Sequence, residues 1–131
     1  MHFLLETSPG EFLDKLTILE IKSERIRDPA KLAHVNHELT LMRRRWDAVT
    51  VDGDVPALVA ELRTVNEALW VIEDRIRECE AAGRFDAEFI ELARSVYQTN
   101  DRRAALKRRI NSALGSELIE EKSYSDHRRR V

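Results

Sequence analysis

Leu58, Leu62, Val65, Leu69, Ile72, Ile76 and Cys79 recur at alternating spacings of four and three residues. A strand repeats every second residue and a helix every 3.6, so this rhythm belongs to a helix. Sustained over three heptads, it demands a long helix with one apolar seam, and the seam demands another helix to cover it. Leu32, Val35, Leu39, Met42, Trp46 and Val49 repeat the pattern one element earlier. Composition agrees with helix on helix. The 131 residues include only 4 Gly and 3 Pro, and 43% hydrophobic with 35% charged side chains suits helices with one wet face.

Local punctuation divides the chain. Ser8-Pro9-Gly10-Glu11 has the form of a capping box with proline at the first helical position, and predicts a helix over about 9–27. Its apolar positions are Phe12, Leu16, Leu19 and Ile26. Asp28-Pro29 opens a second helix, about 29–49. A turn at Asp52-Gly53 leads to a third helix, about 55–82, capped by Asp54 and stopped by Gly83. Asp86 caps a fourth, about 87–114, ended by Gly115. Its seam is Phe89, Ala93 and Val96, then Ile110 and Leu114, interrupted by Thr99-Asn100-Asp101-Arg102-Arg103.

Met1–Thr7 is an apolar arm, either extended or packed as a lid. The segment ELIEEKSY, residues 117–124, is expected as a short helix or strand. Residues 1–124 then form one helical domain, and 125–131 a disordered basic tail. Short turns make successive helices antiparallel. The expected fold is all-α: a four-helix up-down bundle of two antiparallel hairpins with a long third and fourth helix. The long hairpin should outreach the short one, and a second copy would bury the projecting coiled-coil seam.

With 22 basic and 24 acidic side chains, the net charge is −2. That balance gives no global pull toward nucleic acid or an anionic membrane. The single cysteine, Cys79, cannot form an internal disulfide. The first residues lack the cationic start of a signal peptide. No run approaches the roughly 18 apolar residues of a membrane span. The expected compartment is the cytoplasm, without membrane insertion.

The stretches SPGEFLDKLTILEIKSERIRDPAKL, LWVIEDRIRECE, FIELARSVYQTNDRRAALKRRIN and EEKSY resemble a family of small bacterial helical proteins. They cover most of the chain apart from 36–60 and the last seven residues. The resemblance implies a bacterial helical protein. It brings no activity, cofactor or catalytic residue to carry over.

Polar groups on or beside the seams are the informative positions, because burying them costs free energy unless they are paired. Asn100 stands in register with Val96 and Phe89, either as a buried register pin or as the wall of a ligand cavity. Asn66, Trp70, Glu73 and Arg77 form a stripe beside the third seam, and Arg94, Tyr97 and Asp101 one beside the fourth. Such stripes frame a polar small-molecule pocket or, more plainly, supply ion pairs along a bundle flank. Asp14, Lys15, Thr17, Glu20, Lys22 and Glu24 crowd the first helix. Glu11 and Lys15 are a favourable i, i+4 pair. Glu20 and Glu24 are like charges at that spacing, which a cation or a basic partner would relieve. The plain reading of this face is a solvated one. The candidate ligand-binding residues are therefore Lys15, Glu20, Trp70, Glu73, Arg94, Tyr97, Asn100 and Asp101.

His34 and His37 lack the Glu-x-x-His pattern of a di-iron bundle, so no metal is expected. Cys79 on a seam reads as a structural thiol. No cofactor is expected, and no catalytic residue stands out. Arg43–Arg45 and the run Arg102, Arg103, Lys107, Arg108 and Arg109 are basic, but no nucleic-acid module accompanies them, which disfavours that partner.

Three functional readings follow. The leading one, motivated by seam length and the absence of catalytic motifs, is a non-catalytic assembly module that forms a homodimer or binds a protein partner. The second is a small helical enzyme or a binder of an anionic or polar metabolite in a cleft between helices. The third is nucleic-acid binding through the basic half of the fourth helix.

Overall fold

The computed structural model describes residues 1–51 and 53–128; Asp52 of the expected turn and residues 129–131 of the basic tail lie outside the described residues. Four helices form: α1 (Pro9–Arg25), α2 (Pro29–Asp47), α3 (Val55–Ala81) and α4 (Ala87–Ala113). The caps explain most of the boundaries. Ser8 Oγ accepts the Glu11 amide at 3.2 Å, Asp28 Oδ2 the Lys31 amide at 2.9 Å, and Asp86 Oδ1 the Phe89 amide at 3.3 Å. Asp54 departs from expectation, since it is already helical in conformation and makes no side-chain cap.

Both long helices end in Schellman motifs. The Arg84 amide donates to the Cys79 carbonyl and the Ser116 amide to that of Asn111, each at 2.9 Å. The residues between, Gly83 and Gly115, both sit at φ +64°, where a Cβ would be strained.

The fold is an all-α four-helix bundle in which α1 is the hub. It packs on each of the other three helices, while the backbone of α2 approaches α1 alone. Leu13, Leu16 and Leu19 of α1 meet Leu39 of α2, Leu58, Leu62 and Val65 of α3, and Leu106 and Ile110 of α4 in one core. At 27 residues each, α3 and α4 extend roughly 40 Å at 1.5 Å per residue. The 17-residue α1 spans only part of that length. The core therefore sits at the near half of the hairpin, which holds Val55–Asn66 and Thr99–Asn111. In the far half only Cys79 is fully buried.

Several expectations are corrected. The α4 seam is not geometrically broken. It runs Phe89, Leu92, Val96, Thr99, Arg103, Leu106 and Ile110 at unbroken three-four spacing, with Ala93 exposed outside it. The interruption is chemical, because Thr99 and Arg103 hold seam positions. Asn100 is exposed and so is no buried register pin. The face of α1 read as solvated contains Asp14 and Thr17, 3% and 0% exposed. Residues 117–124 form neither helix nor strand. Of the two alternatives for the arm Met1–Thr7, the packed lid does not form, since all seven residues are exposed.

Candidate functional site

Gly10, Asp14 and Thr17 of α1 fall at the spacing of one helical face. On that face Asp14 is the centre. Its carboxylate accepts from Arg103 Nε at 2.8 Å, from Arg103 Nη2, and from Asn66 Nδ2 at 3.0 Å. Asn66 Nδ2 also donates to the Thr17 hydroxyl at 3.1 Å, and that hydroxyl donates onward to the Leu13 and Asp14 carbonyls, 2.9 Å away. Three helices thus meet at one buried carboxylate. The Asp14 bonds raise the pKa of Arg103 against the opposing effect of burial. Among the described residues, no buried side-chain nitrogen or oxygen lacks a partner, as a buried polar cluster requires.

One turn nearer the start of α1, the backbones close in. The Gly10 amide donates to Asn111 Oδ1 at 2.7 Å. A Cβ at Gly10 would lie 2.6 Å from the Lys107 carbonyl oxygen and 2.8 Å from Asn111 Oδ1. Glycine is there because α4 leaves no room for a side chain. Glu11 turns away from its expected capping-box role and pairs with Lys107 Nζ at 2.9 Å.

Lys107 links this cluster to the segment after α4. Its ammonium also meets Glu120 Oε2 at 2.9 Å, and Glu120 Oε1 is 2.5 Å from Lys122 Nζ. Residues 116–128 run back along α4, with Glu121 on Arg108 at 2.8 Å and His127 on Asp101 at 2.8 Å. Lys122 and Lys107 hold the Glu120 carboxyl down at about 2. Burial lowers the Lys107 pKa, but Glu11 and Glu120 more than compensate and the net shift is upward.

Between this strap and α4 lies a cleft of about 330 Å³, lined by Val96, Tyr97, Asn100, Asp101, Arg103, Ala104, Lys107, Glu120, Lys122 and Tyr124. The cleft brings together Tyr97, Asn100 and Asp101 of the sequence candidates. The others lie elsewhere. Lys15 pairs with Glu38 at 3.0 Å, Arg94 with Glu91 at 3.0 Å, and Glu73 with Arg77 at 3.8 Å. Glu20 meets Arg43 at 3.2 Å and Arg63 at 3.3 Å. Arg63 also binds Glu24 at 2.5 Å, so the like-charge pair on α1 is relieved from within the chain. Trp70 is half-buried on the far half of α3.

Sequence reasoning missed Asp14, Lys107, Asn111 and Glu120 as members of one cluster. The available signal was the polar break in the α4 seam at Thr99–Arg103, which needed a buried partner. Chemically, the cleft offers ammonium, guanidinium, amide and phenol groups beside the carboxylates of Asp101 and Glu120. Among the described residues, no three His, Cys, Asp or Glu side chains converge as a metal site would need. No described helix is long and apolar enough to cross a membrane.

The family model described as "Family of unknown function (DUF6165)" matches residues 3–128, and the chain belongs to that family. No curated protein and no solved structure matches the chain.

Proposed function

Starting from a family that brings no activity with it, we propose that the chain is a non-catalytic assembly module that pairs with a second copy through the far half of the α3–α4 hairpin. The observation that carries this reading is the groove that α1 fills and then leaves. Asn66 of α3 and Arg103 of α4 contact α1 directly. Trp70, Glu73 and Arg77 continue the Asn66 face at helical spacing, and Val96, Ala93 and Phe89 continue the Arg103 face. Along this continuation burial falls away: Glu73, Arg77 and Ala93 are exposed, and Trp70, Val96 and Phe89 are only half-buried.

Exposed apolar side chains stand at the far end of the hairpin. Phe85 and Ile90 are 57% and 55% exposed. Phe85 packs edge-on to Phe89 at 5.2 Å, so the two rings form one patch. Many of the surrounding charges are paired inside the hairpin. Arg75 binds Glu88, Arg84 reaches Glu88 at 3.2 Å, and Arg77 approaches Glu73 at 3.8 Å. An identical hairpin therefore meets little net repulsion and converts two helices into four around a shared seam.

Light scattering on the eluting protein tests this. The wild-type chain should run at twice the chain mass. Ile90→Arg, at an exposed position, should run as a folded monomer. Leu41→Arg, equally exposed on α2, should remain a dimer. A monomeric wild type overturns the proposal.

A further inference from the structure

The strap is held by charge rather than by burial. Leu118, Ile119 and Tyr124 stay 46%, 62% and 82% exposed. The contacts that fix it to α4 are Glu120 on Lys107, Glu121 on Arg108 and His127 on Asp101, with the His127 ring 5.4 Å from that of Tyr97. A segment docked this way can shift locally, moving one side chain out of the cleft, without exposing a core. Glu120 differs from the other strap residues because its carboxylate enters the cleft and lies between two ammonium groups, Lys107 and Lys122.

We infer that Lys107 and Lys122 form a binding site for a small oxyanion, the carboxylate or phosphate group of a metabolite, and that Glu120 occupies it as an internal stand-in. The Lys107 ammonium drives the inference. Its side chain is only 9% exposed, and a buried ammonium needs anionic partners to offset its lost hydration. Glu11, fixed on α1, supplies one. The second comes from a segment with almost no apolar hold on the protein. The donors Asn100 and Tyr97 stand on the same wall of the cleft, placed to bind the rest of a ligand whose oxyanion takes Glu120's position. Size and charge restrict the ligand. The cleft is about 330 Å³, and Asp101 on its wall and Asp14 behind Arg103 repel an extended polyanion, which disfavours RNA.

A site occupied by its own chain shows a ligand affinity reduced by the fraction of time it stands open. Replacing Glu120 by glutamine removes the competing charge from a residue outside the helices. Calorimetric titration of the full-length wild type and Glu120→Gln, with pyrophosphate and separately with succinate, tests the inference. Glu120→Gln should bind at least one probe roughly tenfold more tightly than wild type, and adding Lys122→Gln should abolish most of that gain. The tighter probe identifies the oxyanion as phosphate or carboxylate. The inference is overturned if Glu120→Gln binds neither probe more tightly, if the gain survives Lys122→Gln, or if only a short single-stranded RNA titrated in parallel shows it.

Discussion

The near and far halves of the α3–α4 hairpin are built from the same seam yet live in different environments. In the near half, α1 lies across both helices. Leu62 and Ile110 are 0% exposed there, and Asp14 joins Asn66 and Arg103 in a closed polar cluster. In the far half, Leu69, Ile72 and Ile76 keep the same spacing on α3 but remain only half-buried. A seam pattern thus records which face wants to be covered. It does not record whether the chain itself supplies the cover. On the proposed pairing, the far half is the surface that a second copy would cover.

The contrast can be broken or sharpened by substitution. Leu62→Ala should cost the most, about 3–4 kcal/mol in chemical denaturation of the Ile90→Arg background, because it opens a cavity in a rigid core. Asp14→Ala should follow at about 3 kcal/mol, since it strands Arg103 and Asn66 without their shared acceptor. Gly10→Ala should cost about 2 kcal/mol, because the added methyl drives α1 away from the backbone of α4. Ile76→Ala, on the same seam as Leu62 but in the far half, should cost only about 1 kcal/mol in that background. Equal losses at Leu62 and Ile76 would erase the distinction between the halves.

The smallest effect concerns the strap. Its Glu120 carboxyl sits at about 2 instead of the ordinary 4.5. A carboxylate with a lowered folded pKa stabilises its contact above the unfolded value, and the contribution is lost as pH falls through the folded one. The Glu120 contact with Lys107 should therefore loosen as pH drops from about 4.5 toward 2. Amide resonances of 117–124 should shift in that window before those of α1 change. Resonances unmoved to the lower limit would contradict the pairing of Glu120 with Lys107.

The helices were legible because their signals are local. Ser8, Asp28 and Asp86 cap where expected, Gly83 and Gly115 stop the two long helices, and the spacing of α3 survives intact. The cluster was not legible, because its members are far apart in sequence. Asp14 and Arg103 are 89 residues apart, and Gly10 and Asn111 are 101. Periodicity places Asp14 on a face of α1 without showing that α4 arrives there. The exposed Asn100 shows the reverse error. It stands one residue past Thr99, and a three-four seam passes through Thr99, so counting forward four from Val96 selects the wrong member of the turn.

The most direct test of the account is hydrogen exchange on wild type and Ile90→Arg side by side at equal concentration. Amides of the far half, about residues 69–97, should exchange faster in the variant, with unchanged protection for Leu58–Asn66 and Leu106–Asn111. Identical protection of the far half in both proteins would show that nothing covers it in the wild type, and would contradict the proposed pairing.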